Sequence, residues 1–165
     1  MVRLARSGFV SHVRVRFNEC DPFGHVNNAV YLGYLEQVAI DHLAAGGWPA
    51  ARLRAEIGGM FVARKFEIEF LRPSFENDIL EIVTWPVDIV GARALRGYFI
   101  RRIEGDSHSL PANRLIGPSE IDTPPRDQLV VRASTEWVLA NVERGRPVRI
   151  PAHLGDAFLV PPEGE

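Results

Sequence analysis

The apolar residues of this chain keep two different periods, and the change from one to the other constrains the fold more than any other feature. From Ala29 to Leu43 (AVYLGYLEQVAIDHL), Leu32, Leu35, Ala39 and Leu43 fall on one helical stripe, with Tyr31, Tyr34 and Val38 beside it. Gly46-Gly47 closes this helix. Asn27 or Asn28 is the candidate cap, because a short side-chain oxygen there can accept from first-turn amides. A shorter helix is expected between Pro49 and Gly58-Gly59. From Phe61 the period drops to two, and charged and apolar residues alternate strictly over Lys65-Phe66-Glu67-Ile68-Glu69-Phe70. Ile79 to Ile89, Ala94 to Ile103 and Leu129 to Leu139 are further strands, separated by turn chemistry at Arg72-Pro73, Glu76-Asn77-Asp78 and Val90-Gly91. Val13 to Phe17 is expected as a short strand before the helix, and Pro147 to Pro151 as an extension of the last hairpin. One long helix can cover only one face of such a run. The expectation is an α+β fold in which an antiparallel sheet wraps around one long central helix.

At 165 residues the chain is read as a single domain, residues 1–165, large enough to bury a core without a disulfide or metal. The stretch Gly105 to Gln128 stands apart: Pro111, Pro118, Pro124 and Pro125 break it and no period runs through it, so a structureless insertion is expected there, either a mobile lid over a site or a disordered surface loop. Nineteen basic residues against 21 acidic ones give a net charge of −2, so no positive field collects nucleic acid or an anionic membrane surface. No stretch reaches the roughly 18 apolar residues of a membrane span. The first residues, MVRLARSGFV, lack an apolar run of signal-peptide length, and Cys20 is the single cysteine. A cytoplasmic protein with neither nucleic-acid nor membrane partners is therefore expected.

The chemistry concentrates in Arg16 to Glu36, RFNECDPFGHVNNAVYLGYLE. A strand ends in polar residues, Asp21-Pro22-Phe23-Gly24 makes a tight turn, and a helix begins. A carboxylate, an imidazole and two amides thus fall within eight residues beside a helix N-terminus. The first-turn N–H groups there have no intrahelical partners and carry the positive end of the dipole. They can hold the oxygen of a polarised carbonyl while an acid acts on water. Each residue also has a plainer role. Asp21 before proline opens turns, His25 can be a hydrogen-bonded structural histidine, Asn27 and Asn28 can cap, and Glu36 can pair with an arginine such as Arg72. Cys20 has no cationic neighbour placed to make it a nucleophile, and Cys20, Asp21 and His25 lack zinc spacing, so no metal is expected.

DPFGHVNNAVYLGYLE closely resembles the motif of hotdog-fold acyl-CoA thioesterases of the 4-hydroxybenzoyl-CoA thioesterase type, in the HVNN variant also found in long-chain acyl-CoA and acyl-acyl-carrier-protein thioesterases. FLRPSFENDILEI and RASTEWVLANVERGRPVRIP resemble the family's middle and last strands more loosely. The Gly105–Gln128 insertion departs from the short turn usual there. The resemblance implies a hotdog fold and a homodimer, possibly a tetramer, with the active site at the subunit interface. It implies an acyl-CoA or acyl-carrier-protein thioester as substrate, with no cofactor. It makes Asp21 the catalytic carboxylate, as general base or nucleophile, and sets the Asn28 N–H on the thioester carbonyl. His25 and Asn27 would position water or the acid, with Gly24, Tyr31 and Arg72 as expected substrate contacts. Of Arg93, Arg96, Arg101 and Arg102, most are read as a solvated strand face, with the phosphates of the CoA handle or of a carrier protein's pantetheine arm as the other partner they could meet. Two other classes stand beside hydrolysis. Hydratases or dehydratases on the same fold resemble GHFPxxPxxPG, of which only Gly24-His25 is present, and a non-catalytic acyl-CoA-binding module would keep the fold without turnover.

Overall fold

Strict alternation builds strands because successive side chains leave a strand on opposite faces. The computed structural model describes residues 5–160 and places the four long period-two runs in one antiparallel sheet. Two short strands, β1 (Ala5–Arg6) and β2 (Gly8–Arg14), lead to helix α1 (Asn28–Ala45). A short helix α2 (Ala50–Arg52) follows and continues as a π-helical turn over Leu53–Ile57. Then come β3 (Gly59–Phe70), β4 (Ile79–Val90), β5 (Arg93–Ile103), β6 (Arg114–Ile116), β7 (Val131–Asn141), α3 (Ala152–Asp156) and β8 (Leu159–Val160). Six strands lie in the order β3-β7-β5-β4-β2-β6, while β1 and β8 pair separately.

Helix α1 buries Tyr31, Leu35, Val38, Ala39 and His42, one stripe at helical spacing. The stripe is turned from the expected one: Leu32 faces outward at 38% exposure. Its partners are every second residue of the inner sheet face, including Leu80 and Ile82 of β4, Tyr98 and Ile100 of β5, and Val131, Ala133 and Trp137 of β7. Leu35 is fully enclosed, and burying such a side chain contributes about 1.5–3 kcal/mol. The Asn27 side chain is the cap, accepting from Ala29 N–H at 2.9 Å. At the other end Gly47 takes φ +89, a left-handed conformation that favours glycine.

Three expectations about the elements change. The strand expected over Val13–Phe17 lies earlier, as β2, and Phe17–Glu19 forms a 3₁₀ turn instead. The cause is Glu19, a buried carboxylate that accepts from Arg16 N–H at 2.8 Å and from Arg16 Nη2 at 2.7 Å, curling the chain off the sheet. Pro147–Pro151 adds no strand. It makes one bridge, Ala140 to Pro147, and then leads into α3 and β8. The proline-rich insertion is not structureless: it carries β6, which pairs with β2 at the sheet edge, and two single 3₁₀ turns. Ile116 anchors it, buried with Val10, Val83, Phe99 and Leu129 on the outer sheet face. Three residues are too few to show a period, so the pairing was invisible in the pattern. Among the described residues no helix is long and apolar enough to cross a membrane.

Candidate active site

The Asp21 turn is a closed loop rather than an open connection. Cys20 bridges Val26, Asp21 N–H donates to His25 O at 2.8 Å, and Gly24 N–H donates to Asp21 O at 2.9 Å. The chain reverses at Gly24, whose φ of +77 explains a glycine there; the space where a side chain would stand is empty. Asp21 Oδ1 accepts from Phe23 N–H at 2.9 Å and from His25 N–H at 3.2 Å. Two amides thus orient the carboxylate, and its second oxygen has no partner among the described residues.

Two hydrogen bonds tie the loop's far side to the body. Val26 N–H donates to Ser74 O and Asn27 N–H to Glu19 O, each at 2.9 Å. Ser74 belongs to the connection between β3 and β4, where Asn77 takes φ +68 and Phe75 bridges His25. Helix α1 starts one residue beyond Asn27. The side chain of Asn27 satisfies Ala29 N–H and its carbonyl satisfies Val30 N–H, so the unmatched first-turn donor is the N–H of Asn28. Asn27 and Asn28 are exposed.

Asp21, Gly24, His25, Asn27 and Asn28 are therefore brought together, in roles that differ in part from those expected. His25 acts on Asp21 through its main-chain amide; its ring packs edge-on against Phe75 at 5.2 Å. Asn27 spends its side-chain oxygen on the cap. Tyr31 is not an open contact surface: it is 2% exposed, beside Phe70 and Tyr34, and burial pushes its phenol up against the opposing influence of Ser74. The Tyr31 and Ser74 hydroxyls are both buried, and the nearness of Ser74 counters part of that shift. Arg72 is exposed, and among the described residues no ion pair joins it to Glu36, which is itself exposed. Burial, then the nearby charges of Glu76, Asp21 and Glu19, pushes the Cys20 thiol up, away from thiolate character. No three metal-ligating side chains cluster among the described residues.

One residue escaped the sequence reading and another lies elsewhere than expected. Glu19 holds the loop from below, joined to Arg16 and to the Tyr34 hydroxyl; the Arg16–Glu19 spacing of three was the available signal. Arg96 is not on a solvated face: it is 8% exposed on the inner side of β5, as its parity with Ala94, Tyr98 and Ile100 demands. Phe17, Phe23 and Phe75, in or near the loop, are 79%, 84% and 42% exposed, and β3 is a sheet edge without a second neighbour among the described residues.

Residues 15–158 match the profile of a family described as the thioesterase-like superfamily. No curated protein matches the chain. Among solved structures, a probable thioesterase from Bartonella henselae is 26% identical, with 86% of this chain and 98% of that one aligned at a TM-score of 0.67. A hypothetical protein from Thermus thermophilus is 25% identical over 90% and 95% of the two chains, at 0.69. A 4-hydroxybenzoyl-CoA thioesterase variant complexed with 4-hydroxybenzoyl-CoA is 22% identical over 93% and 99%, at 0.73, a likeness of fold.

Proposed function

Since the chain belongs to the thioesterase-like superfamily and has its hotdog fold, we propose that it hydrolyses an acyl thioester, with acyl-CoA as donor, to a free acid and a thiol. The observation that carries this reading is the Asp21 carboxylate: one oxygen is fixed by two amides and the other is free, in the loop that delivers the chain to the unmatched Asn28 N–H.

In this reading the thioester carbonyl oxygen lies on the Asn28 N–H, where the helix dipole adds to the hydrogen bond. A donor aimed at a developing oxyanion contributes roughly 3–4 kcal/mol to lowering the barrier. Asp21 then works by one of two routes. As general base it takes a proton from water, whose oxygen bonds to the acyl carbon; the C–S bond breaks and the departing sulfur takes that proton. As nucleophile it bonds to the acyl carbon itself and expels the thiolate, leaving an anhydride that water opens. Neither route needs a metal or an organic cofactor.

A second copy of the chain would complete the site. An unpaired edge strand and exposed aromatic rings near the loop are surfaces that soluble proteins cover. Pairing along β3 would join two sheets into one and bring a partner surface against Phe17, Phe23 and Phe75. Light scattering should give a dimer or a multiple of it.

Thiol release from acyl-CoAs of differing length and aromaticity, run beside Asp21→Asn, tests the proposal. Asparagine keeps the Oδ1 acceptor, so the loop should persist while turnover falls about 10²–10⁴-fold. A folded Asp21→Asn protein with undiminished thiol release would refute the role given to the acid.

A further inference from the structure

A cavity of about 140 Å³ lies between the C-terminal half of α1 and the sheet, lined by Leu43, Leu53, Phe61, Trp137 and Phe158 among other apolar residues. No residue of the Asp21–Asn28 loop lines it. Two charged side chains do. Glu36 contributes from the exposed side of α1, and Arg96 comes from the inner face of β5.

Arg96 is in an unusual position. Its Nη1 donates to His42 Nδ1 at 2.8 Å and to Thr84 Oγ1 at 3.2 Å. Thr84 gives its own proton to Gly97 O, and the far nitrogen of His42 faces Ser7 Oγ at 3.4 Å. Both partners are therefore neutral acceptors, and no carboxylate among the described residues pairs with the guanidinium. Arginine cannot shed its proton to escape burial, so its charge has no carboxylate partner among the described residues. Nε and Nη2 make no hydrogen bond among the described residues, and they form the edge suited to a two-pronged grip on a carboxylate.

The dimensions select the rest of the ligand. A dry apolar cavity of about 150 Å³ accommodates one benzene ring. We infer that this cavity binds a small carboxylate anion, an aromatic ring or a chain of about five to six carbons whose carboxylate meets the free edge of Arg96. The inference does not depend on the proposed hydrolysis, since it concerns a separate cavity and is read by binding alone. The carboxylate can belong to a free acid or to the far end of a longer acyl group.

Calorimetric or NMR titration of the full chain with hexanoate and benzoate, against hexanamide and benzamide, tests it. The acids should bind saturably, one per chain, and about tenfold to a hundredfold more tightly than the amides. Arg96→Met should abolish that preference. Leu43→Trp, which fills the cavity and leaves Arg96 in place, should abolish binding. Glu36→Gln should bind the acids at least as well as the native chain. Equal binding of acid and amide, binding that survives in folded Arg96→Met, or no binding up to about 10 mM would overturn the inference. A further arm separates the two sources. Adipoyl-CoA preferred over hexanoyl-CoA in the native chain, and not in Arg96→Met, marks the far end of an acyl group; acid binding without that preference marks a free acid.

Discussion

The Tyr34 hydroxyl donates to Glu19 Oε2 at 2.7 Å, joining the second turn of α1 to the 3₁₀ turn that precedes the Asp21 loop. Because Glu19 O also receives Asn27 N–H, one residue holds both the helix start and the loop. Burial works against the Glu19 charge, but hydrogen bonds from Arg16 and Tyr34 outweigh it and hold the carboxyl below the usual range. A carboxyl lowered by folding stabilises the native state above its unfolded value, and that stabilisation is lost as pH falls through the folded value. Tyr34→Phe should cost about 1–2 kcal/mol at neutral pH. The Tm difference between native protein and Glu19→Gln should hold steady down to about pH 4.5 and shrink below it. A difference that grows on acidification would contradict the assignment.

Gly24→Ala isolates backbone strain from crowding, because φ is +77 and the volume beside it is empty. The left-handed conformation costs a non-glycine residue roughly 1–2 kcal/mol, so a modest fall in Tm is expected. Relaxation of that strain would turn Phe23 N–H and His25 N–H away from Asp21 Oδ1. Thiol release should therefore fall further than the loss of folded protein explains, with kcat affected more than KM. An equal loss in both would argue against a positioning role for the loop.

Much of this architecture was legible because it follows from local periods. The alternation at Lys65–Phe70 and the helical stripe after Asn28 need no knowledge of distant partners. The loop residues were legible for the same reason, since Asp21, Gly24 and the Asn27 cap lie within one short run. What stayed hidden depends on contacts far along the chain. Strand β6 gains its definition only from β2, about a hundred residues earlier, and from Ile116 packing on Val10 and Val83. Arg96 was read by its charge, whereas its parity on β5 placed it inward. The competing rules were polarity and period, and period prevailed because His42 and Thr84 accept hydrogen bonds there.

Gly97 exists for space rather than conformation. A Cβ added there would stand 2.7 Å from the Trp85 ring on the neighbouring strand β4, in which Trp85 pairs directly with Gly97. Overpacking of that kind costs about 1–3 kcal/mol, so Gly97→Ala should unfold at lower denaturant with an unchanged m-value. Trp85→Leu removes the ring that collides. In the double variant the alanine should cost far less than alone, a coupling of about 0.5–3 kcal/mol. Additive losses would show that the glycine answers to something other than Trp85.

His42 gives the fold an acid-side weakness distinct from that of Glu19. Burial first, and then the Arg96 charge, push its imidazole down to about 2, and it stacks with Phe9 at 5.8 Å and meets Phe158 edge-on at 4.9 Å. The unfolded chain binds a proton near pH 6.5 whereas the native chain does not. Stability is therefore intact above about pH 6.5 and declines below it, at up to roughly 1.4 kcal/mol per pH unit for one proton. Denaturant titrations between about pH 7 and pH 5 should show this slope. His42→Gln retains an acceptor for Arg96 and cannot titrate, so its curve should be flatter by one proton over the same interval. A native slope that matches that of the glutamine variant would mean that His42 takes up its proton alike in the folded and the unfolded chain.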